Sequence, residues 1–130
     1  MANHRVEDTA LFDKIVATIS EKGPLSLTSY ISHALSDPNY GYYQTRDPFG
    51  AAGDFVTAPE ISGLFGEMCG LYLAHIAELS ELRNPAIFEL GPGRASLIQD
   101  MRHVWQHVMP SLTTAPVHLL ENSPTLRCVQ

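Results

Sequence analysis

A short apolar segment that ends in an acid and then breaks into a glycine turn occupies residues 87–95, with the sequence IFELGPGRA. Residues 117–121, VHLLE, repeat the strand-then-acid pattern further along the chain. Parallel α/β sheets bind nucleoside ligands at the carboxyl ends of their strands, where a glycine turn admits the ligand to the backbone and an acid holds ribose hydroxyls. The two segments therefore predict a nucleoside-binding crevice in an α/β protein.

The composition is that of one ordinary domain, with 130 residues of which 45% are hydrophobic. A net charge of −6 and only eight Lys and Arg residues argue against nucleic-acid binding, and no apolar run is long enough to span a membrane. Two distant cysteines and an isolated pair of histidines four residues apart indicate neither a disulfide nor a metal site. The first eight residues contain no leader-like pattern, so we expect a cytoplasmic protein.

Apolar residues at helical spacing predict two helices before residue 37, separated by Gly23-Pro24. Residues 37–59 form a long loop that we expect to be ordered, because it contains five aromatic residues. A long helix is predicted from Pro59 to about Leu82, with glycines that favour close packing against a neighbour. We assign residues 1–58 to an amino-terminal helical and loop segment and residues 59–130 to the cofactor-binding domain.

Details of the glycine turn favour S-adenosylmethionine over a dinucleotide. The dinucleotide fingerprint GxGxxG needs its third glycine where this chain has Ser96. Pro92 also removes an N–H from a turn that would otherwise cradle a pyrophosphate. S-adenosylmethionine has no phosphate and tolerates both features.

Each candidate residue has a role that follows from the chemistry of this cofactor. Gly91 and Gly93 let the backbone approach the methionine portion, and Glu89 complements its ammonium group. Glu121 accepts hydrogen bonds from both ribose hydroxyls, where two donors converge. The alternative is a strand-turn-helix junction that binds nothing, with Glu121 as a solvated cap.

Three motifs in the same order resemble those of a known family. Residues 37–43 (DPNYGYY), 53–62 (GDFVTAPEIS) and 89–94 (ELGPGR) are similar to the MidA family of class I S-adenosylmethionine-dependent methyltransferases, whose mitochondrial members are complex I assembly factors that methylate arginine. The resemblance implies a partial Rossmann-like fold and a position at the amino-terminal end of a longer protein. It also implies a protein substrate such as a respiratory complex I subunit. Where members commonly have a glycine after the arginine of the turn, this chain has Ala95.

An arginine acceptor would need carboxylates to orient its guanidinium and help remove a proton. Asp54 and Glu60, in the second motif, are the candidates for this catalytic role. Each has a structural alternative, since Asp54 follows a glycine in a turn and Glu60 stands in a first helical turn. The alternative function is a non-catalytic binding or assembly module, and exposed strand edges predict that the chain forms homo-oligomers.

Overall fold

The computed structural model describes residues 9–49 and 53–130. The elements in chain order are α1 (Ala10–Lys22), α2 (Leu27–Ser36), α3 (Tyr42–Thr45), α4 (Ala58–Ile61), α5 (Gly63–Leu79), β1 (Ile87–Leu90), α6 (Ser96–Val108), α7 (Pro110–Thr113), β2 (Val117–Leu120) and α8 (Pro124–Arg127). They form two compact units that meet in sequence between Arg46 and Asp47, earlier than the predicted boundary at residue 58. Residues 1–8, from which a cytoplasmic location was predicted, and residues 50–52 of the long loop lie outside the description.

The first unit contains α1 and α2, the two helices predicted before residue 37, and α3, a single turn within the segment predicted to be a loop. The Ser26 hydroxyl caps α2 by accepting from the Ser29 amide at 3.1 Å, and Gly23 ends α1 with φ at 84°. Asp37 follows α2 and is buried, where it pairs with Lys14 and accepts from the Asn39 amide at 3.0 Å. This carboxylate therefore fixes the start of the DPNYGYY motif.

In the second unit, the helix predicted from Pro59 to Leu82 is two helices. Ser62 is extended, with φ at −157° and ψ at 129°, and separates α4 from α5. Its hydroxyl caps α5 by accepting from the Leu64 amide at 3.2 Å. Serine before glycine favours a cap over a helix interior, because its side chain competes for backbone donors. The prediction of one continuous helix is therefore wrong at this residue.

Helices α5 and α6 pack closely against each other, as the glycines of α5 predict. A Cβ atom at Gly70 would lie 2.6 Å from the Val104 side chain, and the Trp105 indole donates to the Gly70 carbonyl at 2.8 Å. The buried apolar core consists of Ala74, Ala77, Ala95, Ile98, Met101, Trp105 and Leu112. The core follows α6 through Ile98, Met101 and Trp105, whereas Val108, the last residue of the helix, is 49% exposed.

The strands β1 and β2 form a two-stranded parallel sheet with Ile87 opposite Val117 and Leu90 opposite Leu120. One face of the sheet is half-buried against the core, and the other, which includes Phe88 and Leu120, is exposed. The predicted mixed α/β class is confirmed at this level. No helix in the described ranges is both long and apolar enough to cross a membrane.

Candidate functional site

The glycine turn follows β1 in a conformation that suits glycine at two positions. Gly91 and Gly93 have φ values of 67° and 57°, in the left-handed region where a Cβ atom is unfavourable. The Gly91 amide donates to the Leu120 carbonyl at 2.9 Å, so the turn begins beside the carboxyl end of β2. The two strand ends that the sequence singles out are therefore neighbours.

Ala95, at the end of the turn, also adopts the left-handed conformation, with φ at 61° and ψ at 23°. It is the residue before α6, and only 3% of its surface is exposed. The methyl group is accommodated within the core, but the backbone has the geometry in which glycine is favoured. This position requires a left-handed backbone, which explains the glycine common in the similar family, and this chain adopts that backbone with alanine.

Glu89 lies on the half-buried face of β1, one residue before the end of the strand. Its Oε2 atom is buried and has no hydrogen-bond donor in the part of the chain that the structure describes. Burial raises the pKa of Glu89 above its ordinary value, because the charged form loses hydration. A cationic group placed here would supply the missing donor and favour the ionised carboxylate.

A cavity of about 230 Å³ opens along the turn. Its lining includes four of the six predicted site residues, which are Glu60, Glu89, Gly91 and Gly93. Sites for drug-sized ligands have volumes of about 300–1,000 Å³. The cavity therefore accommodates part of such a ligand beside the glycine turn.

Glu121 lies at the end of β2, as predicted, and contacts the turn directly. Its Oε2 accepts from the Gly93 amide at 3.1 Å, and its Oε1 accepts from the Ser123 amide at 2.8 Å. It is not one of the residues that line the cavity. The structure thus brings Glu121 to the glycine turn, with both of its oxygens bonded to backbone amides.

Glu60 reaches the cavity from α4 and is held by two residues of the turn region. Its Oε2 accepts from Arg94 at 3.4 Å and its Oε1 accepts from the Ser96 hydroxyl at 3.3 Å. Asp54 is exposed and is not part of the cavity lining. The two proposed acceptor-orienting carboxylates therefore stand in different surroundings, and only Glu60 adjoins the predicted cofactor site.

Three residues around this site were not predicted to belong to it. Arg94 donates to Asp47 Oδ2 at 2.7 Å and to the Phe49 carbonyl at 3.1 Å, and Phe49 lines the cavity. Arg94 could have been suspected, because it closes the ELGPGR motif. Asp47 and Phe49 are distant in sequence and carry no local signal that links them to the turn.

Within residues 9–49 and 53–130, no group of three or more His, Cys, Asp or Glu side chains could hold a metal ion. A parallel strand pair that joins a glycine turn, a buried acid and a cavity at its carboxyl end has the features of a nucleoside-cofactor site. The class that the fold and the site define is thus a partial α/β fold with a cavity beside its glycine turn.

Comparison with known proteins identifies the family. The chain is 41% identical over 123 residues to the zebrafish (Danio rerio) mitochondrial protein arginine methyltransferase NDUFAF7, covering 92% of this chain and 28% of that protein. It is 37% identical over 124 residues to the Drosophila melanogaster homolog (93% and 28%), and 35% identical over 127 residues to the human protein (94% and 28%). No protein-family model matches the chain. The chain belongs to the MidA-type family of these NDUFAF7 proteins and matches their amino-terminal portion.

The chain spans less than a third of the length of the curated relatives it matches. Their names agree with the predicted methyltransferase class and give no support to the alternative of a non-catalytic module. They contradict the prediction of a cytoplasmic protein, because these relatives are mitochondrial by name. The absence of a leader-like pattern in residues 1–8 was therefore a poor guide to location.

Proposed function

We propose that this chain is the amino-terminal part of a mitochondrial S-adenosylmethionine-dependent protein arginine methyltransferase with a Rossmann-like class I fold. Residues 59–130 would form the first part of its cofactor-binding domain, and residues 1–58 the segment that precedes it. The support is the relatives' names together with the parallel strand pair, the glycine turn and the two acids at the strand ends. The whole activity would need the remainder of the protein as the relatives have it.

The buried Oε2 atom of Glu89 is the observation that carries this proposal. Burying a carboxylate oxygen without a hydrogen-bond donor lowers the stability of the fold. Such an oxygen is therefore expected where a bound ligand supplies the donor, and Glu89 Oε2 is of this kind among the described residues. S-adenosylmethionine has an ammonium group on its methionine portion, and an ammonium donates up to three hydrogen bonds. The residues present therefore fit this cofactor at its methionine end.

The remaining cofactor residues take the roles that the strand ends allow. Gly91 and Gly93 would admit the methionine portion to the backbone, since neither has a side chain above the turn. Glu121 would hold the ribose hydroxyls, exchanging or sharing the hydrogen bonds that it now accepts from Gly93 and Ser123. When bound, the cofactor supplies a methyl group already activated by its sulfonium, so the protein mainly aligns the acceptor and excludes water.

We infer a protein acceptor, and Glu60 is the better placed of the two acids to orient an arginine guanidinium. The support for this role is that its carboxylate already accepts from the guanidinium of Arg94. Asp54 would have to act from the exposed segment beside the cavity. A complex I subunit as substrate is suggested by the NDUFAF7 name alone, and homo-oligomer formation stays a prediction that sedimentation of the chain tests.

Titration calorimetry with S-adenosylmethionine tests this function. The 130-residue chain should bind the cofactor, and Glu89→Gln should lower the affinity by about 10–100-fold, the effect of losing a hydrogen bond between charged groups. Glu78→Gln removes the same charge from the exposed end of α5 and should leave the affinity unchanged. Full-length zebrafish NDUFAF7 serves as the reference for the assay. Failure of the chain to bind would contradict the proposed cofactor site, and equal effects of the two substitutions would remove the role of Glu89.

A further inference from the structure

Residues 47–49, the last described residues before the gap at 50–52, are held in the second unit by contacts with residues 53–55. Pro48 is fully buried, and its carbonyl accepts from the Phe55 amide at 2.9 Å. Phe55 and Phe49 also form a parallel β-bridge. A Cβ atom at Gly53 would lie 2.3 Å from the Pro48 carbonyl oxygen, so only glycine allows this approach. The position of Phe49 is thus determined by tertiary contacts.

Arg94 joins this segment to the glycine turn. Its guanidinium donates to Asp47 Oδ2 at 2.7 Å, to the Phe49 carbonyl at 3.1 Å and to Glu60 Oε2 at 3.4 Å. Asp47 Oδ1 in turn accepts from the Phe49 amide at 3.0 Å. The hydrogen bond from Arg94 is the main cause that lowers the pKa of Asp47, so the pair stays ionised at neutral pH.

The value of this ion pair lies in geometry rather than in stability. The Arg94 and Asp47 side chains are 37% and 35% exposed, and ion pairs in such surroundings stabilise a fold only slightly. A planar guanidinium nevertheless holds several acceptors in fixed directions, which the single ammonium of lysine does not do. Arg94 therefore fixes both backbone groups of Phe49, one directly and one through Asp47.

The Phe49 ring lies against the glycine turn. Its Cε2 atom is 3.3 Å from the position that a Cβ atom would take at Gly93, and the ring lines the cavity. An aromatic face attracts a cation within about 6 Å of its centre and has no comparable attraction for a neutral group of the same shape. The ring thus forms a wall of the cavity beside the place proposed for the methionine portion of the cofactor, with its sulfonium.

We propose that Phe49 selects the sulfonium form of the cofactor over the neutral thioether left after methyl transfer, and that Arg94 is the positioning residue that holds the Phe49 ring against Gly93. The proposal rests on the function proposed above. It assigns to residues 47–49 a part in cofactor discrimination, so that product dissociates more readily than cofactor. The shared ammonium and ribose groups cannot provide this difference, because both compounds carry them.

Paired calorimetric titrations with S-adenosylmethionine and S-adenosylhomocysteine test the proposal, because the affinity ratio isolates the sulfonium. Phe49→Leu should lower the affinity for the cation about two- to fivefold and leave that for the thioether unchanged, while Phe49→Tyr should keep the ratio. Arg94→Lys should lower the ratio as Phe49→Leu does. Arg102→Lys is the matched control, since Arg102 lies on α6 and donates to the Thr113 carbonyl at 2.8 Å.

Hydrogen exchange of the free chain gives a second readout for Arg94. The Phe49 and Phe55 amides, bonded to Asp47 and to the Pro48 carbonyl, should exchange faster in Arg94→Lys than in Arg102→Lys. If Phe49→Leu leaves the ratio unchanged in a chain that binds the cofactor, the inference fails and the proposed function stands. If Arg94→Lys changes neither exchange nor ratio, its positioning role is wrong. If the wild-type chain binds neither compound, the proposed function fails and the inference fails with it.

Discussion

Glu89 and Glu121 both lie near the carboxyl ends of neighbouring strands, Glu89 one residue before the end of β1 and Glu121 just after β2, yet the fold gives them different surroundings. Glu89 has a buried oxygen without a donor among the described residues, and burial raises its pKa. Glu121 accepts hydrogen bonds from two backbone amides, those of Gly93 and Ser123. Among the described residues, Glu89 Oε2 thus has no hydrogen-bond donor, whereas each oxygen of Glu121 accepts one hydrogen bond.

This difference separates two ways in which an acid can serve a ligand. Glu89 gains a donor when a cation binds, so the cost of burying it is recovered in the complex. In the proposed complex Glu121 would give up or share existing hydrogen bonds to bind ribose hydroxyls, so its net contribution to affinity would be smaller. It also joins the turn to the end of β2 and to the start of α8, which Glu89 does not do.

The largest effect on stability is expected from Glu121→Ala. Two backbone amides lose their acceptor, so the free energy of unfolding should fall by about 1–3 kcal/mol. Glu121→Gln retains one carbonyl acceptor and should cost less, while both variants should weaken cofactor binding by about tenfold. Thermal unfolding and calorimetry measure the two effects. Glu78→Ala, on the exposed surface of α5, is the control. An unchanged melting temperature in Glu121→Ala would mean that the hydrogen bonds of Glu121 to the Gly93 and Ser123 amides do not contribute to stability.

The opposite sign is expected for Glu89. Glu89→Gln replaces a buried charge with a neutral amide, so at neutral pH the free energy of unfolding should rise by about 1 kcal/mol while cofactor affinity falls. Because the folded-state pKa is raised, the wild-type protein loses stability as the pH rises from the ordinary carboxyl value of 4.5 through the folded value.

The gap in stability between Glu89→Gln and wild type should therefore close as the pH falls below about 4.5. Denaturant unfolding at a series of pH values measures it. A gap that is constant with pH would show that the amide acts through packing and not through the loss of charge. A gap that widens toward acid would contradict the raised pKa.

The smallest effect is expected from Ala95→Gly, which acts on the backbone between the two acids. The left-handed conformation costs a residue with a Cβ atom about 1–2 kcal/mol. Folding glycine costs about 0.5–1 kcal/mol more conformational entropy than folding alanine. The substitution should therefore raise the free energy of unfolding by about 0.5–1 kcal/mol. Denaturant melts of the two proteins provide the comparison. A destabilised Ala95→Gly variant would show that the buried methyl group contributes more by packing than its backbone conformation costs.

Local patterns were sufficient for the elements that carry the site. The patterns of residues 87–90 and 117–120 predicted both strands, the glycine turn between β1 and α6 was evident from its sequence, and Gly23-Pro24 predicted the break between α1 and α2. The glycines of α5 correctly predicted close packing, and Gly70 against α6 is the clearest case. The break at Ser62 was missed because a single cap competes with a long apolar period that continues on both sides of it.

The sequence by itself determined the two strands, the glycine turn and the positions of the acids beside them, because strand period, glycine content and acid positions are local properties of the chain. Only the tertiary structure decided how they differ, because burial and hydrogen-bond partners depend on contacts between distant segments. Three such features are the Glu89 oxygen that has no donor among the described residues, the amide bonds of Glu121 and the contact of Arg94 with Phe49. A carboxylate in a sequence has a charge, but its free energy and its readiness to bind are set by the atoms that surround it.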